Sequence, residues 1–232
     1  MSSELQVTAH ADSIKQEIGI DTNAYFTSLK DGSMSLEAFR RSQEQFYFCV
    51  AFFSRPMMAL VGRISNASRR LEILRNVVEE HGEFEEAAFH QHTFKSFLQS
   101  IGSDIRNLGD QDKQWPETRA FNSSLIGACL LDELEVGIGC MGVIEYCFAT
   151  ISDTIAQGVV DRNWIELKEL RHYRIHASID IRHAQDFFEL IEESWLDSNR
   201  RMWVDQGLRL GVYLFDRLYT SLYESSQRQQ IK

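Results

Sequence analysis

The chain has only two prolines, Pro56 and Pro116, and its thirteen glycines are scattered rather than clustered. No linker is evident, which favours a single domain. Strand signals are scarce, because no two β-branched alternating runs are joined by a tight turn. The four cysteines (Cys49, Cys129, Cys140 and Cys147) form no Cys-x-x-Cys pair. In a chain of this size they read as reduced core residues of a cytosolic protein. Positive charge is also in short supply: 24 Lys and Arg against 34 Asp and Glu give a net charge of −10. That balance argues against a nucleic-acid partner, which would want a basic patch. Met1 to Thr22 is polar and carries no apolar signal core. The longest weakly polar stretches, Phe46 to Ile64 and Leu134 to Ile151, are broken by Arg55, Pro56, Arg63, Glu135 and Glu145. Central charges are costly in a bilayer, so no membrane span is expected and the chain reads as cytoplasmic. No repeat or low-complexity segment stands out.

What remains is helical periodicity, with 44% hydrophobic residues available for a core. A first helix is expected over Asn23 to Lys30, stopping at Asp31-Gly32. Ser35 caps a long second helix through Phe39, Phe46, Val50 and Phe53, with a kink or break near Pro56. Further helices are expected over Ala67 to His81, Glu85 to Ile101 and Pro116 to Leu131, with Pro116 as a first helical residue. Glu133 to Gln157 is almost entirely apolar and reads as the central buried helix of a bundle. Trp164 to Asp197 and Asn199 to Glu224 complete the set. Seven to eight helices with short connections imply an all-α bundle. The expected organisation is an N-terminal extension (1–22), one helical bundle domain (23–225) and a polar tail (226–232).

The most informative stretch is His176-Ala-Ser-Ile-Asp180-Ile-Arg-His183, within a run free of Gly and Pro from Asn163 to Gln206. At about 100° per residue, positions i, i+4 and i+7 fall within roughly 60° of each other. Two imidazoles and a carboxylate then point the same way, and these are ligands for iron, manganese or zinc. Ile175, Ile179 and Phe187 lie near the same direction, which puts the triad on or beside a buried stripe. Buried His and Asp need partners.

Three ligands on one helical face require others from elsewhere. Glu145 sits deep in an apolar helix, where an unpaired carboxylate costs several kcal/mol and so calls for a buried Arg, a buried Lys or a cation. Glu79-Glu80-His81-Gly82 ends one helix and His90-Gln91-His92 begins the next. This joint is either a solvated helix end or a concentration of ligands. His172 and Tyr173, one turn before the triad, read as a surface His and a core Tyr. The aromatic and Met residues of the second helix (Phe46, Tyr47, Phe52, Phe53 and Met57) are either plain core or a cavity lining.

His176-x-x-x-Asp180-x-x-His183 on a late helix, a Glu about thirty residues earlier, and Glu-Glu-x-Gly followed by His resemble the haem-oxygenase-like di-metal oxidases and oxygenases. Within that superfamily the pattern is similar to the CADD-like iron-containing redox enzymes. Ala24 to Phe48 also resembles the opening two helices of the wider TenA/PqqC-like fold. The resemblance, over roughly Asn23 to Leu218, implies a haem-oxygenase-like bundle with six metal ligands at Glu80, His90, Glu145, His176, Asp180 and His183. Glu79, His92 and Glu44 stand as alternatives to these. It further implies two iron ions, with manganese as a substitute, and dioxygen as co-substrate for oxidation of a small or medium organic molecule. Tyr25 and Tyr47 are the candidates for a redox-active tyrosine. The family's self-sacrificing members also use a lysine shortly after the mid-chain Glu, and no lysine lies between Lys113 and Lys168. A homodimer is expected. The competing expectations are a metal-free TenA-like hydrolase or cofactor-biosynthesis enzyme with Cys140 or Cys147 as nucleophile, or a non-catalytic interaction protein of the same fold. A haem-binding role would want an early axial His, and Thr22 to Leu60 contains none.

Overall fold

The computed structural model describes residues 5–228, and no strand is present among them. The all-α expectation holds. Local chemistry sets several helix ends where the sequence places them. Asn23 accepts from the Tyr25 N–H at 2.9 Å and opens α2 (Ala24–Asp31), which closes at Gly32 with φ 87°. Ser35 accepts from the Ala38 N–H at 3.1 Å and opens α3 (Leu36–Val50). Pro116 is the first residue of α7 (Pro116–Leu131), where its missing N–H costs nothing.

Other boundaries differ. The break expected near Pro56 falls at residues 51–53, and Pro56 itself sits inside the first turn of α4 (Ser54–Arg63). The first turn has no intrahelical N–H bonds for a proline to remove, so the ring is tolerated there. The next helix, α5 (Leu71–Glu80), starts four residues later than expected, and α6 (His90–Ser100) starts five later. Between them run two 3-10 turns, Gly82–Phe84 and Glu86–Ala88. Before α5 the Asn66 side chain accepts from the Ser68 and Arg69 N–H groups at 2.9 and 3.2 Å and holds residues 67–70 as a turn. A 3-10 turn at Leu167–Glu169 likewise delays α9 (Arg171–Leu196).

The centre of the bundle is α8 (Leu134–Asp161), packed most extensively against α9 and α10 (Arg201–Arg228). By length and composition α8 is apolar enough to cross a membrane, yet most of it is buried inside the bundle. Close approach explains some of the scattered glycines. A Cβ on Gly142 would stand 2.6 Å from the Phe187 Cβ, and one on Gly211 would stand 2.6 Å from the Cys140 carbonyl oxygen. Larger residues would force α9 and α10 away from α8.

Residues 6–18, placed in the extension on polarity, form α1 (Gln6–Ile18). It buries Val7, Ala11 and Ile14 and packs on α9 and α10. The N–H groups of Gln6 and Val7 donate to the Glu192 carboxylate of α9 at 3.0 and 3.1 Å, which caps the helix from outside. Of the tail, residues 226–228 belong to α10, and residues 229–232 lie outside the described residues.

Candidate metal centre

Four elements bring charged and imidazole side chains to one buried point. Glu79 and Glu80 come from the end of α5, His90 from the start of α6, and Glu145 from the middle of α8. His172, His176, Asp180 and His183 come from α9. Spacing alone aligns the α9 residues on one helix face. Asp180 and His183 are 0% exposed and Glu145 is 2% exposed. The joint that delivers Glu80 and His90 is tightly folded. Gly82, Glu83 and Phe84 all have positive φ (57°, 54° and 73°), and a Cβ on Gly82 would stand 2.6 Å from the Ala88 carbonyl carbon. Left-handed backbone at two non-glycine residues costs about 1–3 kcal/mol each, and such strain is typically kept where geometry is under demand.

The contacts are those of a donor set closing on itself. His90 Nδ1 lies 2.8 Å from Glu80 Oε1, and His176 Nδ1 lies 2.8 Å from Asp180 Oδ1. His183 Nε2 is 2.7 Å from Glu79 Oε2, which also accepts from Arg182 at 2.6 Å. The other nitrogen, His183 Nδ1, faces Glu145 Oε1 at 3.6 Å and Asp180 Oδ1 at 3.8 Å, both too long for a hydrogen bond. One donor atom each from Glu80, Glu145 and His183 fall within 4.8 Å of one another. Among the described residues, the ion pair that Glu145 makes is with His183 and not with an Arg or Lys.

Burial governs the protonation of the cluster. It raises Glu145, and the Asp180 charge adds to it, taking the carboxyl up to about 7. It also pushes Asp180 well above the usual carboxylate range. Burial opposes a charged His183, but Glu145, Glu79 and Asp180 outweigh it and push the imidazole up to about 10. Burial likewise opposes ionisation of Glu80, yet His90 first, then His176 and His183, pull it down to about 2. His172 and His176 are held below the usual imidazole range, chiefly by burial.

Four buried atoms here have no hydrogen-bond partner: Glu145 Oε1, His172 Nε2, His176 Nε2 and His183 Nδ1. Each such atom costs about 1–3 kcal/mol, so four at one place are unusual unless they serve a ligand. Glu80, Glu145, His172 and His176 line a cavity of ≈ 40 Å³ whose walls include Phe46, Phe53, Phe148 and Phe215. Nitrogen and carboxylate donors in this arrangement suit a borderline divalent metal, with imidazoles steered by carboxylates through their second nitrogen.

All six residues of the expected ligand set are buried in this cluster. Of the alternatives, Glu79 touches it through His183. His92 bonds instead to the Glu86 carbonyl at 2.6 Å, and Glu44 pairs with Arg40 at 4.0 Å. Neither redox-tyrosine candidate reaches it. The Tyr25 hydroxyl bonds to Ser42 at 2.7 Å and Gln43 at 2.6 Å, and Gln43 in turn meets the Tyr173 hydroxyl. Tyr47 lines a separate cleft beside Gly109, with Lys95 over its ring. Among the aromatic residues of α3 and of the break after it, Phe46 and Phe53 line the cavity while Tyr47 and Phe52 line the separate cleft. Cys140 and Cys147 are fully buried and do not line the cavity; burial pushes the Cys147 thiol up to about 12, away from a thiolate nucleophile.

Two expectations need correction. His172 is not a surface residue: it is buried on the cavity wall, with Nδ1 bonded to Thr93 Oγ1 at 2.9 Å. Its i, i+4 spacing from His176 was the available signal. Conversely, Ile175 and Ile179 are only half-buried, beside a groove lined by residues of the 168–179 segment.

A sequence model described as "iron-containing redox enzyme" matches residues 40–213. No curated protein matches the chain. Solved structures do. One is a domain of unknown function with a haem oxygenase-like fold from Shewanella denitrificans, at 18% identity and TM-score 0.75, covering 97% of this chain and 92% of that one. A CADD-like protein of unknown function from Nostoc punctiforme gives 14% identity and TM-score 0.73, with 96% and 99% covered. A TenA homologue from Pseudomonas syringae gives 14% and 0.71, with 95% and 91% covered. At these identities the likeness establishes the haem-oxygenase-like fold.

Proposed function

The chain belongs to the iron-containing redox enzyme family, and from that membership we propose that it is a dinuclear non-haem iron oxidase or oxygenase acting on a small or medium organic substrate. The observation that carries the reading is the set of unpartnered, buried oxygen and nitrogen donors around one cavity. Glu80, His90, Glu145, His176, Asp180 and His183 would hold the two ions. Three ionised carboxylates against two divalent ions leave a net charge of +1, suited to an anionic substrate or to reduced oxygen. Ferrous ions held by these residues would supply electrons for dioxygen reduction, and manganese would substitute at the same donors.

The chain's own residues do the rest. Glu79, braced by Arg182, holds His183 by Nε2 and so presents Nδ1 to the cluster. Asp180 does the same for His176, accepting at Nδ1 and leaving Nε2 toward the cavity. Phe46, Phe148 and Phe215 exclude water from the reacting side. The cavity volume of ≈ 40 Å³ suits dioxygen or a few waters. Small-molecule sites are typically about 300–1,000 Å³, so an organic substrate would need the cavity to enlarge, with the half-buried Val50 and Phe53 as its least buried apolar walls. A cytoplasmic location and a homodimeric state form part of the same proposal, and light scattering tests the latter.

The deciding experiment is anaerobic loading with Fe²⁺, metal analysis after desalting, and oxygen-uptake measurements across a substrate panel. Two irons per chain and substrate-dependent uptake are expected. A desalted protein that retains no iron would sink the reading.

A further inference from the structure

Helix α9 carries a second histidine pair overlapping the triad. His172 lies four residues before His176, both rings line the cavity, and their centroids are 4.4 Å apart. Each ring has one nitrogen engaged and Nε2 without a partner. The Thr93 hydroxyl fixes the tautomer of His172. Its single proton goes to the His90 carbonyl oxygen at 2.9 Å. At its 2.9 Å contact with His172 the hydroxyl oxygen must therefore accept, and Nδ1 donates. Nε2 is left with a bare lone pair, on a ring that is 1% exposed. The aromatic walls have no hydrogen-bond donor to offer it. Two imidazoles at i and i+4 on one helix face have the spacing that lets both hold one ion.

We propose that His172 and His176 form an i, i+4 chelate for a divalent metal ion, making His172 Nε2 a nitrogen ligand beyond the six residues assigned above. The proposal rests on the metal-binding reading of the cluster. It makes Thr93 a positioning residue that sets the His172 tautomer, and it makes the site richer in nitrogen than the expected ligand set. Late first-row divalent metals gain more from nitrogen donors, so His172 also biases which metal the site prefers.

The test uses Co²⁺ as probe on the full chain: affinity by optical titration, and the imidazole count by X-ray absorption at the cobalt edge. Four imidazoles per loaded chain are expected in the wild type. His172→Phe should remove one and weaken binding by about tenfold or more, with Thr93→Val giving a smaller loss. Wild-type affinity in His172→Phe together with an unchanged imidazole count overturns the chelate and leaves the six-residue reading standing. A wild-type chain that binds no Co²⁺ overturns both. Should His172→Phe fail to fold, the wild-type count decides alone, and three imidazoles refute the proposal.

Discussion

Metal binding at this cluster should expel protons, and the number follows from the environment of each ligand. Ligation needs ionised carboxylates and an unprotonated donor nitrogen. With its pKa pushed up to about 10, His183 holds its extra proton fully at pH 7. Glu145, at about 7, is half protonated there. Asp180 lies well above its ordinary range and adds up to one more. Loading at pH 7 should therefore release about 1.5–2.5 protons per chain. The assay is calorimetric titration with Fe²⁺ under anaerobic conditions, in two buffers of different ionisation enthalpy. The slope of apparent enthalpy against buffer enthalpy counts the protons. At pH 9 Glu145 is already ionised, so the release should fall by about half a proton. Binding with release below about half a proton at pH 7 would refute the assignment of His183 and Glu145 as ligands.

Four further outcomes are expected. His176→Ala or Asp180→Ala should abolish iron retention while circular dichroism keeps most of the helix signal; full iron stoichiometry in both would end the ligand assignment. Glu79→Gln should keep the site but weaken metal affinity by about 10–100-fold, because it loosens the hold on His183 without removing a ligand, as a Co²⁺ titration would reveal. Gly142→Ala puts a methyl group 2.6 Å from the Phe187 Cβ, and urea unfolding should register a loss of about 1–3 kcal/mol. In chelator, thermal stability should fall as the pH rises from 6.5 towards 10. His183 is raised from 6.5 to about 10, so its contribution is complete below 6.5 and lost as the pH passes 10. Glu145, raised from 4.5 to about 7, acts in the same direction over its own range. A flat profile of melting temperature between pH 6.5 and 10 would contradict this balance.

The part of the site that is legible in the sequence is the part carried by one helix. His176, Asp180 and His183 need only a helical repeat to share a face, and an uninterrupted run guarantees it. Glu145 was legible as a charge with no place in an apolar helix. The pairing of Glu80 with His90 was not, except through a family resemblance. It depends on two 3-10 turns and on Glu83 and Phe84 adopting backbone angles that neither residue favours. His172 was misplaced because one turn of helix fixes direction but not what packs there. Thr93 and Phe94 of α6 cover it. Ile175 and Ile179 differ in the opposite sense, since their direction is apolar yet packing leaves them only half-buried.

The donors thus hang from two kinds of support. Those of α8 and α9 are held by the most extensively packed helices of the bundle, whereas Glu80 and His90 are joined by a short, strained connector over residues 81–89. Amide exchange should be slow across 142–148 and 180–188 and fast across 81–89. A first ion would meet a socket already rigid on one side. Glu80 and His90 already stand buried in the cluster on the other side, so an ion held by them would brace the connector against opening. The protection of residues 81–89 against exchange would then report when Glu80 and His90 are engaged.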